Sequence, residues 1–276
     1  YWAQMGSGGG CLPGAPPPVE RLLTERWRNF AASLPEGGRV IDIATGTGAV
    51  LRAIGSARDD LDLLGVDYAR LPEPAPAKMR LLGEIRVEHL PFDDGAFDGI
   101  TSQFGFEYAE RRAAAGEIVR VARPGAPVQL VVHHVDSPIL LQNRKRRRAI
   151  EACRENRLTE LARRALMPAG DTGALDRAAA ELESEFPDQM AVREIPAALR
   201  AAVETRSAER IDAIEQGMAR ETAILDELLR VALDRPGIEA LVASLSDGFA
   251  CEAPSALVPE AADRPIAWLV SGRRKR

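Results

Sequence analysis

A buried strand that runs straight into two glycines constrains the fold of this 276-residue chain more than any other feature. Residues 39–44 read RVIDIA, residues 45–48 read TGTG, and an apolar helix start follows at Ala49. A strand, a tight glycine turn and a helix in this order are typical of a parallel sheet that holds a ligand at its carboxyl edge. The sequence therefore predicts an α/β fold.

Further apolar runs alternate with helical stretches and extend this sheet. A helix is predicted at Val19–Leu34, and further strands at Leu61–Asp67, Ile85–His89, Phe97–Phe104 and Pro127–His133. Strands separated by helices predict a doubly wound, parallel arrangement. Pro72, Pro74 and Pro76 interrupt the chain before Ile85, so we expect an irregular loop there in place of a full second helix.

The last two predicted strands, Phe249–Leu257 and Ile266–Gly272, are expected to run antiparallel to each other. Only residues 258–265 connect them, whereas a parallel pair needs a crossover of about a dozen residues or more. The sequence thus predicts a mostly parallel seven-stranded sheet with a reversed last strand.

A large helical insertion separates the fifth strand from that final hairpin. Its helices are predicted at Pro138–Met167, Thr172–Phe186, Pro196–Glu204 and Ser207–Leu233, and a further helix at Ile238–Leu245 belongs to the sheet. We therefore expect a flexible N-terminal segment (1–18), a cofactor-binding core (19–137 and 236–276) and a helical cap (138–235). The apolar stripe from Ile211 to Ala232 is interpreted as intramolecular core, with a homodimer seam as the alternative.

The glycine turn predicts the class of ligand. The dinucleotide fingerprint GxGxxG fails, because Leu51 holds the third glycine position. Asp42, just before the turn, disfavours a pyrophosphate and favours a ligand that carries an ammonium and a sulfonium. S-adenosylmethionine carries both charges.

The same residues resemble the motifs of class I S-adenosylmethionine-dependent methyltransferases. Residues 42–48 (DIATGTG) are similar to the DxxxGxG motif of that family, and residues 65–67 (GVD) to the motif whose acid binds the ribose hydroxyls. Residues 90–98 (LPFDDGAFD) and 120–125 (RVARPG) are similar to the stretches before its fourth and fifth strands. The segment DIATGTG, together with Phe104-Gly105, is most similar to the corresponding residues of the quinone-biosynthesis branch.

This resemblance implies a Rossmann-like methyltransferase fold, S-adenosylmethionine as the cofactor, and methyl transfer to an oxygen, nitrogen or carbon atom of a small molecule. The candidate cofactor-binding residues are Asp42, Ala44, Thr45, Gly46, Gly48, Asp67, Tyr68, Val87, Glu88 and Gln103. Family members often carry Asp or Asn where this chain has Arg86, so we expect adenine recognition from the backbone near Val87 and from packing by Tyr68. Glu107 and Tyr108 replace the Arg and Asn of the quinone branch, which disfavours a quinone acceptor.

Four residues at the strand ends are candidates for catalysis. His133 and His134 end the fifth strand, and an imidazole is a natural base for a hydroxyl or amine acceptor. Adjacent strand residues point to opposite faces, so only one of the two is expected to meet the substrate. Glu107 and Tyr108 are candidates to line the pocket or to act chemically. Methyl transfer by proximity and orientation alone stays open as the alternative.

Composition and charge narrow the remaining classes of function. No run approaches the about 18 apolar residues of a membrane helix, and three distant cysteines form no disulfide framework, so we expect a cytoplasmic protein without membrane insertion. Neither a metal-ligand spacing nor a GxSxG motif is present. The net charge of −5 and 5% aromatic content disfavour nucleic acid, although RKRRR at 144–148 keeps an RNA methyltransferase as an alternative. A cofactor-binding protein without catalysis is the other alternative.

Overall fold

The computed structural model describes residues 17–71, 79–168 and 170–276. These residues form two compact units. One contains the described residues up to Ser137 together with Val231–Arg276, and the other is Pro138–Arg230. The expectation of a flexible segment at 1–18 falls almost wholly outside the described residues. So does the expectation for the loop at Pro72, Pro74 and Pro76.

One sheet organises the first unit. Its strands are β1 (Arg39–Ile43), β2 (Asp62–Val66), β3 (Met79–Leu82), β4 (Gly99–Gln103), β5 (Pro127–His133), β6 (Phe249–Cys251), β7 (Ser255–Leu257) and β8 (Ala267–Arg274). Their order is β3-β2-β1-β4-β5-β8-β6, and β7 pairs with the same edge of β8. Strands β1 to β5 are parallel, and β8 runs antiparallel to β5. The predicted doubly wound sheet with a reversed last strand is confirmed.

Helices cover both faces of this sheet, since its central strands are apolar on both sides. They are α1 (Pro17–Ala32), α2 (Ala49–Ala57), α3 (Arg111–Val121) and α9 (Arg235–Leu245). On β1, Val40 belongs to one apolar cluster with Trp27 and Leu51, and its neighbour Ile41 belongs to the other with Ile118. The two clusters fix every strand between helices, so the carboxyl ends of β1, β2, β4 and β5 meet at one edge.

The second unit is entirely helical in its described residues. Its helices are α4 (Pro138–Glu155), α5 (Leu158–Ala165), α6 (Gly173–Glu185), α7 (Ala191–Glu204) and α8, which runs from Ala208 to Val231. A core of its own includes Ile150, Leu158 and Leu199. Ile211, Met218 and Leu225 of α8 lie in this core, so the apolar stripe is intramolecular, as the first interpretation predicts.

The third strand lies six residues earlier than the sequence predicted. The predicted strand Ile85–His89 is wrong, because β3 is Met79–Leu82 and pairs with β2 from Leu63 to Val66. Ile85 and Val87 follow as a loop that packs against the core. Both segments begin with an apolar–polar–apolar triplet, MRL and IRV, and only the first segment pairs with β2.

Other boundaries also differ from the prediction. The strand predicted at Phe249–Leu257 is broken into β6 and β7, with Pro254, which has no N–H to donate, just before β7. The helix predicted at Pro138–Met167 divides at Arg157, which has a left-handed φ of 57°. The helix predicted from Pro196 begins at Ala191, and the proline lies inside it. These breaks leave the strand order unchanged.

Candidate active site

The turn between β1 and α2 takes a left-handed backbone that opens it to a ligand. Ala44, Gly46 and Gly48 have φ values of 52°, 53° and 81°. Gly48 caps α2 without a side-chain hydrogen bond, and a Cβ added to Gly46 would meet no atom within 4 Å. The N-terminus of a helix favours polar groups that accept from its free N–H groups. This turn therefore offers open space at the N-terminus of α2.

A second glycine lets this turn lie against β2. The Thr45 backbone N–H donates to Val66 O at 2.9 Å, and a Cβ added to Gly65 would approach Thr45 Oγ1 to 2.5 Å. Any side chain at position 65 would push the turn away from the strand. The glycine of the GVD motif is thus required by close packing.

Asp67 joins the second predicted motif to the first. Its Oδ2 accepts from the Gly46 backbone N–H at 2.8 Å, and its Oδ1 accepts from the Ala69 N–H at 2.8 Å. The carboxylate that ends β2 therefore lies directly beside the glycine turn. The structure brings these two predicted cofactor-binding motifs together.

Asp42 lies beneath the turn and is almost completely buried. Its Oδ1 accepts from Thr101 Oγ1 at 2.8 Å, whereas Oδ2 has no hydrogen-bond partner in the described structure. Burial raises the pKa of Asp42 to about 7, and the negative charge of Asp67 adds to the rise. A buried carboxylate of this kind favours a cationic or hydrogen-bond-donating neighbour.

The other cofactor candidates are held by partners outside the glycine turn. The Tyr68 side chain is 71% exposed, with the Arg86 guanidinium 5.4 Å from its ring centroid. Glu88 Oε1 accepts from the Glu110 N–H at 2.9 Å, and Val87 packs against the core. Gln103 Oε1 accepts from Trp27 Nε1 at 2.7 Å. All of these residues belong to the first unit, and the side-chain contacts named here lie outside the turn.

His133 and Glu107 form a buried pair at the ends of β5 and β4. Glu107 lies in a short 3-10 helix, Phe106–Tyr108, and its Oε1 contacts both the backbone N–H of His133 at 2.9 Å and the ring Nδ1 at 2.7 Å. The Phe104 ring lies 4.5 Å from the His133 ring and the Tyr108 ring 6.1 Å, measured between centroids. Three of the four predicted catalytic residues are thus in contact.

His134 points to the other face of the sheet, as strand alternation predicts. Its ring stacks on Trp268 with a centroid distance of 4.4 Å, and its Nδ1 accepts from the Asp136 N–H at 3.0 Å. Burial lowers the pKa of His134, partly opposed by the charge of Asp136. This side chain is separated from the Glu107 pair and has a packing role.

Sequence reasoning missed four residues that hold the site together: Trp27, Thr101, Phe104 and Trp268. Each supports a predicted residue that lies between 29 and 134 positions away in the chain, and no local pattern connects such positions. Of the four, only Phe104 could have been found from the sequence, because it belongs to the Phe104-Gly105 motif. In the structure it has a left-handed φ of 57°, which is unusual for an aromatic residue. The others are ordinary core residues by sequence.

None of the helices in the described ranges is long and apolar enough to cross a membrane. Likewise, no group of three or more His, Cys, Asp and Glu side chains in those ranges could hold a metal ion.

The fold and the candidate site are similar to those of class I S-adenosylmethionine-dependent methyltransferase domains. The shared features are the strand order with an antiparallel β8, and a glycine turn with Asp67 bonded to it and Asp42 beneath it. Residues 41–130 match the family model described as a methyltransferase domain. These residues are similar to that family, and two relatives with curated names come from the quinone-biosynthesis branch.

Two of these relatives show the extent of the similarity. A demethylmenaquinone methyltransferase of Thermus thermophilus is 35% identical over 125 residues, which cover 41% of this chain and 56% of the relative. A ubiquinone/menaquinone biosynthesis C-methyltransferase of a Geobacter species is 33% identical over 147 residues, covering 44% of this chain and 59% of the relative. The matched part of the chain spans a little over half the length of these relatives.

Solved structures of low identity also align with the chain. An S-adenosylmethionine-dependent methyltransferase from Mesorhizobium loti is 16% identical, with a TM-score of 0.45, over 95% of this chain and 100% of that chain. A second one, from Aquifex aeolicus, is 20% identical, with a TM-score of 0.37, over 45% of this chain and 70% of that chain.

The residues present fit S-adenosylmethionine, the cofactor of this class. Asp42 Oδ2 and Thr47 Oγ1 are buried, and in the described structure they have no hydrogen-bond partner. The first is an acceptor, and the hydroxyl can donate or accept. Buried polar groups are normally paired, so both atoms are available to a polar ligand, and the Asp42 carboxylate favours one that carries positive charge.

Proposed function

We propose that this protein transfers a methyl group from S-adenosylmethionine to a small-molecule acceptor. The hydrogen bond from the Gly46 N–H to Asp67 carries the proposal, because it joins the glycine turn and the acid of the second motif in one cleft. Asp42, buried beneath the turn, adds the second carboxylate. A site of this charge suits a cationic cofactor better than a dinucleotide phosphate.

Each residue has a distinct part in this proposal. Asp67 would bind the ribose hydroxyls, the open turn at Gly46 and Gly48 would accept the amino-acid end, and Asp42 would stabilise the positive charge. Tyr68 and the backbone near Val87 would receive the adenine. When bound, the cofactor supplies a methyl group made electrophilic by the sulfonium.

A small molecule is favoured over RNA as the acceptor. Three arginines in and after the basic run form ion pairs within the second unit: Arg146 with Glu221, Arg147 with Asp226, and Arg163 with Asp212 and Glu215. Charges neutralised in this way contribute little to phosphate binding, which depends on free cations. The curated relatives are named for quinones, which are small molecules.

The second unit is proposed to act as a helical cap for the acceptor. It is inserted directly after β5, the strand that ends at His133, so the chain leaves the active-site edge to form it. Insertions at this edge are positioned to select substrates and exclude water.

We also propose a cytoplasmic location, because the thiols of Cys153 and Cys251 are free, as is usual in a reducing compartment.

Calorimetry followed by turnover tests the proposed function. S-adenosylmethionine and S-adenosylhomocysteine are expected to bind, and a nicotinamide dinucleotide is not. A methyl-labelled donor is then incubated with panels of small phenols, amines and quinols, and with a structured RNA. Label in a small molecule supports the proposal, and label only in RNA replaces it with the RNA alternative. Binding without transfer to any acceptor favours the non-catalytic alternative.

A further inference from the structure

We propose that Glu107 and His133 form a proton-accepting pair that selects hydroxyl-bearing acceptors, with Glu107 as the positioning residue and His133 Nε2 as the base. This inference rests on the proposed methyl transfer and adds to it the chemical class of the acceptor. It is carried by the contacts around these two side chains in the first unit.

The backbone of the turn after β4 is held in one conformation, which places Glu107 beside His133. Ser102 Oγ donates to Ile43 O at 2.8 Å and accepts from the Phe106 N–H at 3.2 Å, which fixes the turn after β4. Phe104 keeps its left-handed φ there, a conformation that persists only where the surroundings hold it and that clusters at functional sites. The turn therefore delivers Glu107 to the end of β5.

The hydrogen bonds of Glu107 determine which nitrogen of His133 carries a proton. A carboxylate only accepts, so the Nδ1 that lies 2.7 Å from Oε1 must be the protonated nitrogen. The backbone N–H of His133 donates to the same oxygen and holds the carboxylate in place. In the neutral ring, the lone pair is then on Nε2, the nitrogen that points away from Glu107.

The choice of a carboxylate points to a role beyond packing. The Glu107 side chain has no exposed surface, and its Oε2 has no hydrogen-bond partner in the described residues. A glutamine would accept the same two hydrogen bonds without a buried charge, which is costly to remove from water. The buried negative charge of Glu107 becomes stabilising when the neighbouring His133 ring becomes positively charged.

The pair takes up the proton that the acceptor loses, so the positive charge lost from the sulfonium reappears on His133. As the acceptor oxygen forms its bond to the methyl carbon, its O–H bond breaks and the proton passes to His133 Nε2. The carbon–sulfur bond breaks with its electron pair left on sulfur, so the sulfonium charge is lost. One positive charge then resides on the imidazolium, beside Glu107, until the proton leaves to solvent.

This role predicts the acceptor class. A phenol, enol or alcohol must lose a proton during transfer and gains from a base. A thiol that is already ionised gains nothing from it. The pair therefore indicates an acceptor with a hydroxyl group at or conjugated to the methylated atom.

Nitrogen NMR tests the positioning part without turnover. With labelled histidine and S-adenosylhomocysteine, the His133 signals are expected to show a protonated Nδ1 and an unprotonated Nε2 at mildly alkaline pH. Assignment uses His133→Asn, which keeps a donor near Glu107 and removes the ring. A ring protonated on Nε2 in the wild-type protein would overturn the proposal.

Kinetics tests the proton transfer with 1-naphthol and thiophenol as matched acceptors, measured at mildly alkaline pH. Glu107→Gln and His133→Asn are expected to lower kcat for 1-naphthol by about 10²-fold or more and to change thiophenol turnover far less. Glu110→Gln, the same change at an exposed helix cap, is the control and should keep the wild-type rate.

The outcomes separate this proposal from the proposed function. Calorimetry should show that both variants bind S-adenosylhomocysteine like the wild type, so a loss of rate reflects the base and not the cofactor. Equal losses of kcat with both acceptors would overturn the pair. If the wild type binds no cofactor, the proposed methyl transfer fails, and the nitrogen spectra still decide the tautomer. Should Glu107→Gln not fold, His133→Asn provides the same comparison.

Discussion

Asp67 Oδ2 accepts a hydrogen bond from the Gly46 backbone N–H at 2.8 Å, so the acid that ends β2 is fixed to the glycine turn that follows β1. The two residues lie 21 positions apart in the chain, and the parallel pairing of β1 with β2 brings them to one edge. This contact places both predicted cofactor-binding motifs at the same edge of the sheet.

Gly46→Val is expected to abolish binding of S-adenosylhomocysteine while the protein stays folded. Its Cβ would enter open space, so the fold loses about 1–2 kcal/mol, from the left-handed φ alone. Gly37→Val is a matched control, because Gly37 has a φ of 64° and an equally open Cβ direction before β1. Calorimetry and thermal unfolding of both variants check this. Retained binding in Gly46→Val would show that the ligand lies elsewhere.

Asp67→Ala should weaken S-adenosylhomocysteine binding by about 1.5–3 kcal/mol, the typical loss for hydrogen bonds to a charged group. The variant removes the acceptor of both the Gly46 and the Ala69 N–H groups as well as the proposed ribose contact. Asp59→Ala, at an exposed position before β2, is the control. Equal dissociation constants for the two variants would contradict the role of Asp67.

Asp42 should release a proton when the cofactor binds near neutral pH. Its pKa is raised to about 7 by burial and by Asp67, and a cationic ligand favours the ionised carboxylate. Between about pH 5.5 and about pH 7.5, S-adenosylmethionine affinity is therefore expected to rise with pH. Calorimetry in buffers of different ionisation enthalpy measures the released proton.

Asp42→Asn is the informative variant for this proton. It keeps an oxygen for the Thr101 hydroxyl and cannot titrate. Its cofactor binding should be weaker at about pH 7.5 and nearly independent of pH over the same range. Wild-type binding without proton release would mean that Asp42 stays protonated in the complex.

His134→Phe should reduce the loss of stability on acidification. Burial lowers the pKa of His134 below its ordinary value of 6.5, so the unfolded chain binds the proton more readily than the folded one. The stability contributed by the neutral ring is present above about pH 6.5 and is lost as the pH falls through the lowered pKa. Phenylalanine keeps the stack on Trp268 and does not titrate.

Urea unfolding between about pH 5 and about pH 8 measures this effect. The free energy of unfolding of the wild type should fall more steeply toward acid than that of His134→Phe. His89→Phe, at an exposed position, should follow the wild-type curve. Parallel curves for wild type and His134→Phe would exclude the contribution.

Hydrogen exchange should become slower in Pro138–Arg230 when S-adenosylhomocysteine and an acceptor phenol are both present. A cap that closes on its ligands loses local opening, whereas an independent helical unit does not. The control is α1, whose packing against the sheet is not expected to change. Equal protection of Pro138–Arg230 with and without ligands would refute the proposed cap.

Several features of the fold follow from patterns that are local in the chain. The strand–glycine–helix unit at 39–50, the acid after β2 and the short connection before β8 each occupy a few neighbouring residues. Period and turn chemistry predicted the first and third of these, and the resemblance of residues 65–67 to a family motif predicted the role of the acid. The third strand shows the limit of such patterns, since Met79–Leu82 and Ile85–His89 begin with the same apolar–polar–apolar pattern and β2 pairs with only the first.

The sequence by itself determined the class of fold, the glycine turn and the two acids beside it, because these depend on backbone preference and charge at adjacent positions. Only the tertiary structure decided how the side chains pair. Glu107 meets His133 from 26 positions away, Thr101 meets Asp42 from 59, and Trp27 meets Gln103 from 76. The physical reason is that strand register and helix packing set these distances, and both depend on the whole hydrophobic core.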